Sequence, residues 1–328
     1  MNRRDFVFLV GSAATASRAV LAHATDGRPR VGYLSFGTRD DPSGKRWRDQ
    51  FLDAMRDLGD VEGRDFEMLY VFADFQPDRL PQLAKDLVQL NPDVIVGAAT
   101  LEAVALKKAT DTIPIVIGAL AEPIELDLIK SYAQPGGNVT GIMPYVAGLP
   151  TKQLDVAREL VKGAARIGLL EDVIDPKARP QSQEIGASGA KLGIKIIPAA
   201  VRSPDDVGQA YELFSREGAE VVVVEQSNML LTARQRIAEA AAAMKLPTVY
   251  GYHEHVEAGG LISYGVNLDW CFGRRAYYVD KILKGARPSE LPVEFPTTLE
   301  MWVNLTAAKA LGLTISPALL VQADKIIE

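Results

Sequence analysis

Three sets of side chains in this 328-residue chain could hold a small molecule, and each falls where an apolar run ends. The first is small and hydroxylated: Ser35 closes one run, and Gly97-Ala98-Ala99-Thr100 closes another before a helical stretch. Backbone N–H groups at such a helix start can receive a carboxylate, with Thr100 assisting. The second set is acidic: Glu171, Asp172, Asp175, Glu225 and Glu254, with the amide of Asn228 nearby. That rim suits an ammonium or several hydroxyls. The third is aromatic: Phe36, Tyr145, Tyr250, Tyr252 and Tyr264 offer faces to an apolar or cationic group. Ala119 and Glu122 follow a further apolar run. Together the sets describe a receiver for a zwitterion with an apolar side chain, such as an amino acid.

Signals for catalysis are weak. His253-Glu254-His255 places its histidines on alternate residues, which do not converge easily on a metal, and no cysteine cluster supports a site. Gly186, Gly189 and Gly193 lie along a predicted helix rather than at a strand-to-helix turn, so they form no dinucleotide fingerprint. The chain has neither a Gly-Lys-Ser/Thr phosphate loop nor a nucleophile-elbow serine. No cofactor is expected. A secreted α/β enzyme acting on a small molecule is the alternative to a binding protein.

The elements that must position these residues are written twice. Arg30-Val31-Gly32-Tyr33-Leu34-Ser35 returns as Arg166-Ile167-Gly168-Leu169-Leu170-Glu171, and Leu58-Gly59 returns as Leu192-Gly193. Pro77-Asp78 precedes Val94-Ile95-Val96 by the same spacing with which Pro204-Asp205 precedes Val221-Val222-Val223. Ile113 to Gly118 matches Leu246 to Gly251. Strands alternating with helices imply an α/β protein of two doubly wound, parallel-sheet lobes. Ligands bind such sheets at the carboxyl ends of their strands. The expected division is 25–145 with about 268–297 for one lobe, and 146–267 with about 298–328 for the other. Several crossings of the chain would act as a hinge.

Arg3-Arg4 before the apolar stretch ending at Leu21, with Ala22-His23-Ala24 as a cleavage site, reads as a twin-arginine leader over 1–24. A periplasmic mature chain is therefore expected. No other segment reaches the roughly 18 apolar residues of a membrane span. The formal charge is −6, and no basic block could neutralise several phosphates, so nucleic acid is an unexpected partner. A single cysteine, Cys271, excludes an intramolecular disulfide. A monomer is expected.

Further runs carry a likeness: Leu58 to Arg64, Asn91 to Val96, Glu122-Pro123-Ile124, Gly136-Gly137-Asn138-Val139-Thr140-Gly141, Ile262 to Gly265, and Pro292 through Leu313. On these the chain resembles the bacterial ABC-transporter substrate-binding proteins that include tryptophan- and tyrosine-binding lipoproteins. The resemblance implies a type I periplasmic-binding fold, hinge closure on a small ligand, and delivery to a membrane permease. Glu122 stands where relatives often have Asp, and no cysteine for lipidation follows the leader.

Overall fold

Short runs of Val, Ile and Leu, each followed by a helix, build the first sheet of this computed structural model, which describes residues 27–144, 146–175 and 177–328. The expected leader and Tyr145 lie outside those residues. In chain order come β1 (Arg30–Ser35), α1 (Pro42–Asp57), β2 (Glu67–Phe72), α2 (Leu80–Gln89), β3 (Val94–Ala99), α3 (Thr100–Ala109), β4 (Ile115–Ala119) and β5 (Val139–Gly141). The strands pair in parallel in the order β2-β1-β3-β4-β5. Helix α1 begins before its apolar spacing does, because Asp41 caps it: its carboxylate accepts the Gly44 N–H at 2.7 Å, and Pro42 sits in the first turn.

The Gly-Gly-Asn-Val-Thr-Gly run supplies β5, a strand that alternation alone did not reveal. Its polar side chains serve the fold. Asn138 donates to the Thr110 and Ile113 carbonyls at 3.0 and 2.8 Å, and Thr140 donates to the Leu291 carbonyl at 2.7 Å.

The second lobe continues with α4 (Leu149–Leu160), β6 (Arg166–Asp172), α5 (Ala178–Leu192), β7 (Lys195–Val201), α6 (Val207–Arg216), β8 (Val221–Val224), α7 (Asn228–Thr232), α8 (Arg234–Ala243), β9 (Thr248–Tyr250), α9 (Glu254–Glu257) and β10 (Ile262–Val266). Helix α10 (Leu268–Leu283) follows, then β11 (Leu299–Asn304), α11 (Leu305–Ala310), α12 (Pro317–Gln322) and β12 (Lys325–Ile327). The sheet order is β12-β11-β10-β9-β8-β6-β7. All neighbours are parallel except β10 and β11. That one exception has a topological cause: β11 enters from the first lobe, so it approaches the sheet from the end opposite to its predecessors.

The chain therefore passes between the sheets three times. It leaves the first after β5 and returns after β10. There Cys271, Ala276, Tyr278 and Val279 of α10 pack with Val31, Tyr33, Val94 and Val96. Gly118 lets α10 ride directly on β4, since a Cβ there would lie 2.5 Å from the Phe272 ring. Beyond Glu294, whose N–H binds the Gly141 carbonyl at 3.0 Å, the chain crosses back as β11. Met301 and Val303 then join a core with Ile167, Val221 and Val249. Between the lobes lies a separate apolar layer. Ala99, Ala119, Trp47 and Phe272 from one side meet Leu149, Leu231, Tyr252 and Val266 from the other.

Candidate functional site

Because strands of both sheets end against this layer, the residues that follow them face one another. A cavity opens there. Tyr33, Ser35, Phe36, Trp47, Phe75, Ala98 and Glu102 line it from the first lobe; Asn228, Leu231, Thr232 and Arg234 line it from the second. Phe36 and Phe75 meet edge to face at 5.7 Å, and Trp47 stacks on Phe272 at 4.1 Å. Buried Arg275 holds this wall in place, donating to the Gly97, Trp47 and Phe272 carbonyls at 3.3, 3.2 and 2.9 Å. The Trp47 indole N–H has no hydrogen-bond partner among the described residues.

The hydroxylated rim proves to be largely self-satisfied. Glu102, in the first turn of α3, folds back so that its carboxylate accepts the Phe36 N–H at 2.8 Å and the Ala99 N–H at 3.1 Å. Burial pushes its pKa up to about 7, against the lowering effect of those hydrogen bonds. The Thr100 hydroxyl accepts the Ala121 N–H at 2.8 Å, and the Ser35 hydroxyl accepts the Gly37 N–H at 3.2 Å. A carboxylate of the chain itself thus occupies much of the anion-binding capacity that the Gly97 to Thr100 stretch suggests.

The acidic rim behaves differently. Glu225, at the end of β8, is 1% exposed, and neither carboxylate oxygen has a hydrogen-bond partner among the described residues. Its burial, together with the charges of Glu171, Asp175 and Asp172, pushes its pKa up to about 10, against the lowering effect of the nearby Asp172 N–H. Burial also raises Glu171, opposed by a hydrogen bond from Ser182, and Asp172, opposed chiefly by Ser227. Lys177 is buried beside this group, 3.7 Å from Asp175. Burial pushes its pKa down, but Asp175 and Tyr252 more than compensate, so it stays charged. Lys177 thus offsets the charge of Asp175 and Asp172, while Glu225 holds its proton among the neighbouring carboxyl groups.

A second polar cluster joins the lobes. Arg46 of α1 donates from Nε to Asp269 at 3.0 Å, within its own lobe, and reaches across to Glu257 at 3.0 Å and to His253 Nε2 at 3.2 Å. His253 is held by Glu300 through its other ring nitrogen and stacks on Trp302 at 4.3 Å. Burial lowers the His253 pKa, but Glu300, Glu254 and Glu257 outweigh it and leave the pKa raised. His255 instead is buried and falls to about 4. The two histidines therefore do structural work, and no group of His, Cys, Asp and Glu able to hold a metal occurs among the described residues.

Among the residues singled out from sequence, Ser35, Phe36, Ala98 and Asn228 line the cavity. Ala119, Tyr252 and Tyr264 lie in the layer between the lobes. Glu171, Asp175 and Glu225 form an acidic cluster outside the lining of that cavity, and Thr100 is buried behind the rim. Glu122 sits in the loop after β4, where burial and Glu125 raise its pKa. Sequence reasoning missed Trp47, Phe75, Glu102, Leu231 and Arg234. Trp47 reads as the core face of a helix, and Phe75 follows a strand whose end was not used. Arg234 carried one signal: a cation in the first turn of a helix opposes the helix dipole, which invites a search for its purpose.

The sequence profile of the ABC transporter substrate binding proteins matches residues 39–327. The chain belongs to that family. These are solute receptors, not enzymes, and the two-lobed fold is that of type I periplasmic-binding proteins. This receptor is 23% identical over 272 residues to a tyrosine-binding protein of Clostridioides difficile, spanning 83% of this chain and 78% of that protein. It superposes with a TM-score of 0.84 on the ABC domain in complex with L-Trp from Streptococcus pneumoniae, at 24% identity over 92% of this chain and 100% of the other. A conserved domain protein of Vibrio cholerae gives the same TM-score at 30% identity, covering 91% and 99%. No helix among the described residues of the receptor is long and apolar enough to cross a membrane.

Proposed function

We propose that the protein is the exported receptor of an ABC importer, which closes its lobes on a carboxylate-bearing solute, an amino acid or an aromatic acid, and delivers it to a membrane permease. The two closing bodies are 25–145 with 268–297, and 146–267 with 298–328, after removal of the leader over 1–24 in the periplasm. Glu225 carries the reading. A buried carboxyl group without a cationic partner among the described residues, and with three other carboxyl groups nearby, is stabilised by an ammonium that arrives with the ligand. The aromatic wall of Phe36, Phe75 and Trp47 suits the ring of such a ligand. Relatives named for tyrosine binding and solved with L-Trp support an aromatic amino acid. A thermal-shift panel of the common amino acids, benzoate and simple sugars tests it. An aromatic amino acid should raise the melting temperature, because it binds the folded state alone. Stabilisation by sugars only would overturn the assignment.

A further inference from the structure

The ligand's ammonium has a partner in Glu225, but its carboxylate does not have the partner that the sequence suggests. At the N-terminus of α3, Glu102 already takes the Ala99 N–H, together with the Phe36 N–H that follows β1. A carboxylate added there would face a second carboxylate at hydrogen-bonding range. A cationic group lining the interlobe cavity is the better receiver of the anion.

We infer that Arg234 receives the carboxylate of the ligand and so sets the preference for amino acids over amines; this deepens the function proposed above and rests on it. Arg234 begins α8 and lines the cavity together with Asn228, Leu231 and Thr232. It is half-buried. One of its guanidinium nitrogens, Nη1, donates to the Leu231 carbonyl at 3.1 Å, which fixes the head group. Among the described residues no carboxylate lies within ion-pair distance of it, although ion pairs hold Arg46, Arg274 and several other arginines of the chain. Asp41, the acidic residue lining the same cavity beside Glu102, already caps α1 through the Gly44 N–H. A guanidinium carries five N–H donors in a planar fork, and its natural complement is a carboxylate bound by two of them. Lobe two then reads both charges of an amino acid, with Glu225 at the end of β8 and Arg234 nine positions later. Lobe one contributes the aromatic wall over the side chain.

The test uses the purified mature protein, calorimetry, and two pairs of probes: L-tyrosine with tyramine, and L-tryptophan with tryptamine. Each amine lacks only the carboxylate. Wild type should prefer the amino acid of whichever pair binds. Arg234→Gln should weaken that amino acid ten- to a hundredfold while changing the amine less than threefold, so that the preference collapses. Arg234→Lys should restore part of it, since charge returns without the fork. Unchanged melting temperatures of both variants show that the fold is intact. A preference that survives in Arg234→Gln overturns the assignment and leaves the receptor function standing. A wild type that binds none of the four probes overturns the proposed ligand class and this assignment together.

Discussion

Replacing Glu225 by glutamine should make the ligand-free protein more stable and its ligand binding worse. The reasoning starts from the sign of the pKa shift. Glu225 has an ordinary glutamate pKa when unfolded, and its folded pKa is pushed up to about 10 by burial and by Glu171, Asp175 and Asp172. Between roughly pH 4.5 and 10 the folded state holds a proton that the unfolded state has lost, so stability falls as pH rises through that window. At pH 7 the protein is about 2.5 units above the unfolded pKa, which corresponds to about 3 kcal/mol of destabilisation at 1.36 kcal/mol per unit. Glutamine is always neutral, so Glu225→Gln should recover on the order of 2–3 kcal/mol at pH 7, with its neighbours absorbing the remainder. Reversible urea denaturation of both proteins from pH 5 to 9 measures this. The wild-type curve should fall relative to the variant by about 1.4 kcal/mol per pH unit. Parallel curves, or a variant less stable than wild type at pH 7, would refute the argument that an unpartnered carboxyl group is buried at this position.

Binding of an ammonium to Glu225 should expel its proton, so calorimetry at pH 7 in buffers of different ionisation enthalpy should show close to one proton released. Truncating Glu225 to alanine should lower affinity for a verified amino-acid ligand by roughly ten- to a hundredfold, the cost of leaving a buried charge unpaired. Arg46→Met removes the bridge from α1 to Glu257 and His253; solution scattering of the ligand-free protein should show a larger radius of gyration, and ligand affinity should fall roughly two- to fivefold. Gly141→Ala should destabilise the first lobe by on the order of 3 kcal/mol: φ is +145°, and a Cβ would lie 2.1 Å from the Ile117 carbonyl oxygen. Chemical denaturation checks it.

The repeat made the two sheets legible because a buried parallel strand announces itself as a short apolar run, and the same runs occur in the same order twice. What the repeat could not show is what departs from it. The antiparallel β11 belongs to the tail that neither unit contains, and β5 is three residues long and carries threonine and glycine. The site followed the same division. Residues at the carboxyl ends of strands, such as Ser35, Ala98 and Glu225, could be placed by counting. Residues brought in by helices could not: Trp47 faces the cavity from α1, and Arg234 lines it from the start of α8, beyond the short α7. Glu102 shows the limit most clearly. Its position three residues into a helix is visible in the sequence, but that it closes on the Phe36 N–H of another strand depends on how β1 and β3 lie side by side.

The central claim is that two lobes close on an amino acid without transforming it. Small-angle scattering of the mature protein, with and without saturating L-tyrosine or L-tryptophan, tests it most directly when the recovered ligand is analysed by mass. The account predicts a smaller radius of gyration in the presence of the bound amino acid and its recovery unchanged. An amino acid that saturates the protein without altering its radius, or that is returned as a product, would contradict it.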